Sequence, residues 1–112
     1  MALILAPIPP AKLDAWKKFI GDMMGPRKAE FVDFNKRHQL TKHDAWLCAT
    51  PAGHFVAAIH EGPGAATLMP SVAKSSHAFD KYFASQLAEI HGMDVSKPPP
   101  GPMPERLLTW SA

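Results

Sequence analysis

The chain has 112 residues, 46% of them hydrophobic and 20% charged, with a formal net charge of +2. That length and balance fit one globular domain, residues 1–112, able to bury a real core. The weak, scattered positive charge argues against a nucleic-acid footprint. Cys48 is the single cysteine, so no intrachain disulfide can form, which agrees with a reducing compartment. The apolar start, Ala2–Ile8, lacks a basic leader and is too short for a signal or membrane segment. A cytoplasmic protein with no membrane or nucleic-acid partner is the expectation.

Ala2–Ala6 reads as a first strand, apolar on both faces and ended by Pro7, Pro9 and Pro10. Pro10 suits a first helical position, where its missing N–H costs nothing. Leu13, Trp16, Ile20 and Met23 then recur at helical spacing through Met24, and Gly25-Pro26 stops the helix. A second helical piece runs from Arg27 to His38, with Phe31, Val32 and Phe34 as its apolar side. After the hairpin described next, Gly62-Pro63-Gly64 breaks the chain. Ala65–Lys74 is helical if the helix begins near Thr67, which puts Pro70 in its first turn. Ser75 or Ser76 caps a further helix with the apolar stripe Phe79, Phe83, Leu87 and Ile90. Gly92 marks its C-terminal stop, and His91 suits the negative end of the helix dipole. Lys97–Pro104 is an extended Pro-rich connector. Arg106–Trp110 reads as a last strand.

The chain is organised around Asp44–Glu61. Asp44–Thr50 and His54–His60 read as two strands, and Pro51 and Gly53 supply turn chemistry between them. Pairing Thr50 with Gly53 sets Cys48 opposite Phe55, Trp46 opposite Ala57 and Asp44 opposite Ile59, all on one face. The other face carries Ala45, Leu47, Ala49, Val56 and Ala58 with His43, His54 and His60. Both faces are largely apolar. Helices can cover one, so the other calls for a second copy of the chain.

The order strand, helix pair, strand, strand, helix pair, strand is the ferredoxin-like βααββααβ pattern: an α+β fold with a four-stranded antiparallel sheet and helices on one face. With that order and length, the chain resembles the dimeric α/β-barrel superfamily, in which two such sheets pack face to face. The stretches AWLCATPAGHFVAAIHEG, SSHAFDKYFASQLAEIHGMDV and PPPGP also resemble a group of uncharacterised bacterial proteins, across roughly Phe31–Pro102. The superfamily includes haem-degrading and quinone-forming monooxygenases, sugar mutarotases, muconolactone isomerases and non-catalytic stress proteins. No motif matches the catalytic set of one branch, and fold alone does not choose among them.

His43 and His60 fall opposite each other in the proposed register, with Cβ atoms about 5 Å apart. Two imidazoles at that range can share a proton. A metal would need further ligands, which the sequence does not supply. The plain alternative is a pair of polar residues at the hairpin's open end, partly solvated. His54 lies about 20 Å along the strand from His60, too far to act on one atom. His77 and Asp80, three apart at a helix start, share a face, so Asp80 could orient His77 for acid–base work. The competing reading is first-turn electrostatics. His77, Asp80 and His60 are the catalytic candidates.

Trp46, Phe55, Tyr82 and Phe83 are the ligand-binding candidates, with the core as their alternative role. Cys48 reads as a small buried hydrophobe. No metal site, phosphate loop, Rossmann fingerprint or tightly bound cofactor is indicated.

Two functions compete. One is a homodimeric, cofactor-independent enzyme of monooxygenase or isomerase type acting on a small hydrophobic metabolite. The other is a non-catalytic ligand-binding or interaction dimer; a haem-binding monooxygenase is a weaker third. A pocket beside the sheet, holding a histidine with a perturbed pKa and a second polar group, favours the enzyme.

Overall fold

A computed structural model of the chain describes residues 1–98 and 103–112. Short apolar runs bounded by proline, glycine and polar residues build three strands: β1 (Ala2–Ile8), β2 (Lys42–Thr50) and β3 (Gly53–Glu61). They form one antiparallel sheet in the order β1-β3-β2. The hairpin pairs Thr50 with Gly53, Cys48 with Phe55 and Trp46 with Ala57, and His43 opposes His60. Gly53 occupies φ +121°, a conformation that a side chain would disfavour.

Four helices follow their apolar periodicity: α1 (Leu13–Met24), α2 (Lys28–Arg37), α3 (Leu68–Lys74) and α4 (Ala78–His91). A 3₁₀ turn at Pro10–Lys12 leads into α1, and another at Ala65–Thr67 leads into α3. Trp16, Phe19 and Met23 of α1, Phe34 of α2, and Phe79, Phe83, Leu87 and Ile90 of α4 are buried. They pack over one sheet face, where Ala6, Ile8, Val56 and His60 are also buried. Phe34 is the central contact, with ring centroids 4.6 Å from Phe83 and 5.5 Å from Phe79.

The junction between β3 and α3 closes tightly against the end of α2. Glu61 O accepts from Thr41 N at 2.8 Å, and Gln39 O accepts from Gly64 N at 3.1 Å. A Cβ on Gly64 would sit 1.8 Å from His38 O, and one on Gly62 would sit 2.5 Å from Gln39 O. Only glycine allows these backbones to approach.

Four expectations are corrected. The sheet has three strands, not four: Arg106–Trp110 forms no strand, and Leu107, Leu108 and Trp110 are 83–89% exposed. The order therefore stops at βααββαα, so the four-stranded ferredoxin-like sheet, and the dimeric α/β barrel built from it, is not what this chain forms. Pro7 lies inside β1; proline lacks the N–H of a central strand and belongs on an edge, which keeps β1 an edge. The first strand runs to Ile8 and buries one face only, Leu3 and Leu5 being 40% and 57% exposed on the other. The cap of α4 is His77, whose Nδ1 accepts from Phe79 N, while Ser75 Oγ accepts from His77 N. Leu47 and Val56 belong to the helix-facing side of the hairpin, where Val56 is buried. Part of the Lys97–Pro104 connector, residues 99–102, lies outside the described residues.

Candidate functional site

A narrow cavity of about 60 Å³ runs between the sheet and helices α1 and α4. Its floor is the inner sheet face, from Ile4 and Ala6 across Val56 and Ala58 to Ala45. Its roof includes Trp16, Phe19, Phe83 and Leu87. Its only titratable lining groups are three histidines: His43, His60 and His91.

Strand pairing places His43 and His60 side by side on the inner face. Their ring centroids are 4.5 Å apart and the planes cross at 78°. Phe31, Phe34 and Phe83 surround His43 at centroid distances of 5.0, 6.2 and 6.1 Å. Asn35 Oδ1 lies 2.8 Å from His43 Nδ1. A carbonyl oxygen only accepts, so Nδ1 carries the proton and Nε2 keeps its lone pair. His60 is 2% exposed, and its Nδ1 is buried with no hydrogen-bond partner among the described residues.

Burial disfavours the charged imidazole. It pushes His43 down to about 3, with repulsion from His60 adding to the effect. Burial lowers His60 as well. His91 donates its Nδ1–H to the Pro7 carbonyl at 2.9 Å. Burial depresses His91 too, and that bond partly offsets it. The pair at the heart of the cavity is thus neutral at physiological pH.

Asp80 belongs to a different cluster. It is fully buried and accepts two hydrogen bonds from Arg37, at 2.7 and 3.0 Å; His38 Nε2 lies 2.9 Å away. Burial pushes its carboxyl upward. Hydrogen bonds from Arg37, Ser75 and His38, with the Arg37 charge, outweigh that and hold it well below the usual carboxylate range. This clasp fastens the end of α2 to the start of α4. His77 is not its partner: the ring caps the helix, is 46% exposed, and lies 3.9 Å from Asp33. The structure does not bring His77 to the cavity.

Of the aromatic candidates, Phe83 lines the cavity. Trp46 and Phe55 point to the opposite sheet face, Trp46 being 50% exposed. Tyr82 packs against Phe19 and Phe79 beneath Arg27, whose guanidinium lies 4.0 Å from the ring centre. Sequence reasoning paired His43 with His60 but missed Asn35 and His91. A polar residue eight positions before His43 is a weak signal; His91 carried none, because a last-turn histidine is expected for dipole reasons alone.

A larger hollow of about 380 Å³ lies between Ala84, Ala88 and Met93–Val95, but it is an open surface trough with Asp94 as its only ionisable group. Among the described residues no three His, Cys, Asp or Glu side chains are grouped to hold a metal ion. None of the helices is long and apolar enough to cross a membrane, among the described residues. Compared with protein-family models, curated proteins and solved structures, the chain matches none.

Proposed function

We propose that the chain binds a small hydrophobic metabolite in the cavity between sheet and helices, and that His43 and His60 transfer a proton within it. The observation that carries this reading is the meeting of two neutral histidines, His60 buried and His43 half-buried, with an otherwise apolar cavity. Enclosed apolar pockets with a few convergent polar groups are the usual form of a small-molecule site. His43 Nε2 takes the proton from one ligand atom and returns it at another, while an N–H of His60 donates a hydrogen bond to the ligand oxygen. A proton taken from one ligand atom and returned at another gives an isomerisation that needs no cofactor. A low-dielectric site with pre-aligned groups supports such a transfer.

A second reading is a ligand carrier without chemistry. Two observations favour it: the depressed basicity of His43 makes it a weak base, and the cavity is small.

The proposal includes a homodimer. The outer sheet face presents Leu3, Leu5, Trp46, Ala57 and Ile59, with the charges of Lys42, Asp44 and Glu61 gathered at one end. A second copy seated there removes apolar surface from water at about 25 cal/mol per Å², and a two-fold pair is the commonest closed assembly.

Deuterium uptake from D₂O into small enolisable ketones, followed by mass spectrometry, separates enzyme from carrier. Enzyme chemistry predicts uptake that falls about 10²–10⁴-fold in His43→Gln, the usual contribution of one acid–base group. Ligand binding with no exchange would leave the carrier reading.

A further inference from the structure

We infer that the ligand's polar group is a single neutral hydroxyl, an alcohol, phenol or enol, seated between His43 and His60. The inference rests on the cavity being a ligand site and says what that ligand must carry.

The argument is one of donors and acceptors. Asn35 fixes the His43 proton on Nδ1, so Nε2 can only accept. His60 is neutral and carries one N–H and one lone pair, and its buried Nδ1 has no hydrogen-bond partner among the described residues. A buried polar nitrogen left unpaired is a cost to the fold that a ligand group can recover. A group that donates to His43 and accepts from the His60 N–H serves both rings. A hydroxyl does both. An ether oxygen cannot donate, and a carboxylate has no hydrogen for His43. A charged ligand fails on a second ground: no lysine, arginine, aspartate or glutamate lines the cavity. An ion there would be desolvated without a counter-ion.

The walls add a size limit and a way past it. A cavity of about 60 Å³ is smaller than the ~150 Å³ that takes a benzene ring in an apolar protein cavity. Met23, Met69 and Met93 line it. Methionine is unbranched and adapts its shape to irregular gaps. The cavity therefore takes a four-carbon alcohol or a ring only as these side chains move.

Four probes share nearly one skeleton: 1-butanol, methyl propyl ether, butyrate and butylammonium. Each is titrated into the full chain carrying ¹⁵N-labelled histidine and ¹³C-methyl methionine, with NMR detection. The expected result is that 1-butanol shifts the His43 and His60 nitrogens and the Met23, Met69 and Met93 methyls. The other three bind at least tenfold more weakly. In His43→Phe, the alcohol's advantage over the ether should vanish while the methyl shifts persist. Equal binding of alcohol, ether and ions at the cavity methyls would overturn the hydroxyl and leave the cavity reading standing. No shift of the cavity methyls with any probe would instead overturn the cavity reading itself.

Discussion

His43 is half-buried among aromatic rings on the inner sheet face. Its imidazole titrates near 6.5 when free and is pushed down to about 3 in the fold. Between those values the unfolded chain binds a proton that the folded chain refuses. Stability is therefore complete above the unfolded pKa and falls as pH drops toward the folded one, by up to about 1.4 kcal/mol per pH unit. His60 and His91, both also lowered, act in the same direction. Asp80 is depressed instead, so its contribution is present above its unfolded value of 3.8 and is lost only in stronger acid. Acid sensitivity between about pH 6 and pH 4 thus belongs to the histidines. Urea denaturation across that range should show a steep slope in the wild type and a shallower one in His43→Gln. An unchanged slope would mean that His43 is not buried as described.

At the scale of elements, two devices hold the cavity's frame. The Asp80–Arg37–His38 clasp joins α2 to α4. Removing one partner of a buried pair typically costs about 3–5 kcal/mol; Asp80→Asn should fall at the low end because the Arg37 side chain is 30% exposed. The second device is the glycine junction. Gly64→Ala would drive a Cβ into the His38 carbonyl, and backbone displacement there should cost upward of about 3 kcal/mol. Guanidinium unfolding of both variants measures these losses, and a Gly64→Ala protein as stable as wild type would refute the close approach.

These elements also show what the sequence can and cannot disclose. The hairpin register was legible because turn chemistry and period-two alternation are local, and so His43 could be set against His60 before any coordinates. The clasp was not, because Arg37 and His38 lie 43 and 42 residues before Asp80. Helical spacing offered only His77 as a neighbour, and capping geometry took that side chain away. The apolar run Arg106–Trp110 looked like a strand by composition, but a strand also needs an edge to pair with. Pro7 marks the nearer edge as one that stays unpaired.

At the scale of the molecule, one sheet face is covered by helices and the other is apolar and open. Leu5 is 57% exposed and Trp46 50%, and they flank Ala57 on the outer face. The proposed dimer predicts that wild type sediments as twice the chain mass at micromolar concentration. Leu5→Lys should sediment as a folded monomer with an unchanged circular dichroism spectrum. A well-folded wild-type monomer at that concentration would remove the second copy from the account.

The central claim is that a small apolar ligand enters between the sheet and helices α1 and α4. The chain carries its own reporters for this. It has six methionines: Met23, Met69 and Met93 line the cavity, while Met1, Met24 and Met103 are 49–62% exposed. A fragment screen of short apolar molecules, read by ¹³C-methyl methionine NMR, tests the claim directly. The account predicts saturable shifts at Met23, Met69 and Met93, with Met1, Met24 and Met103 unmoved. Shifts confined to the exposed methionines, or spread evenly over all of them, would contradict it.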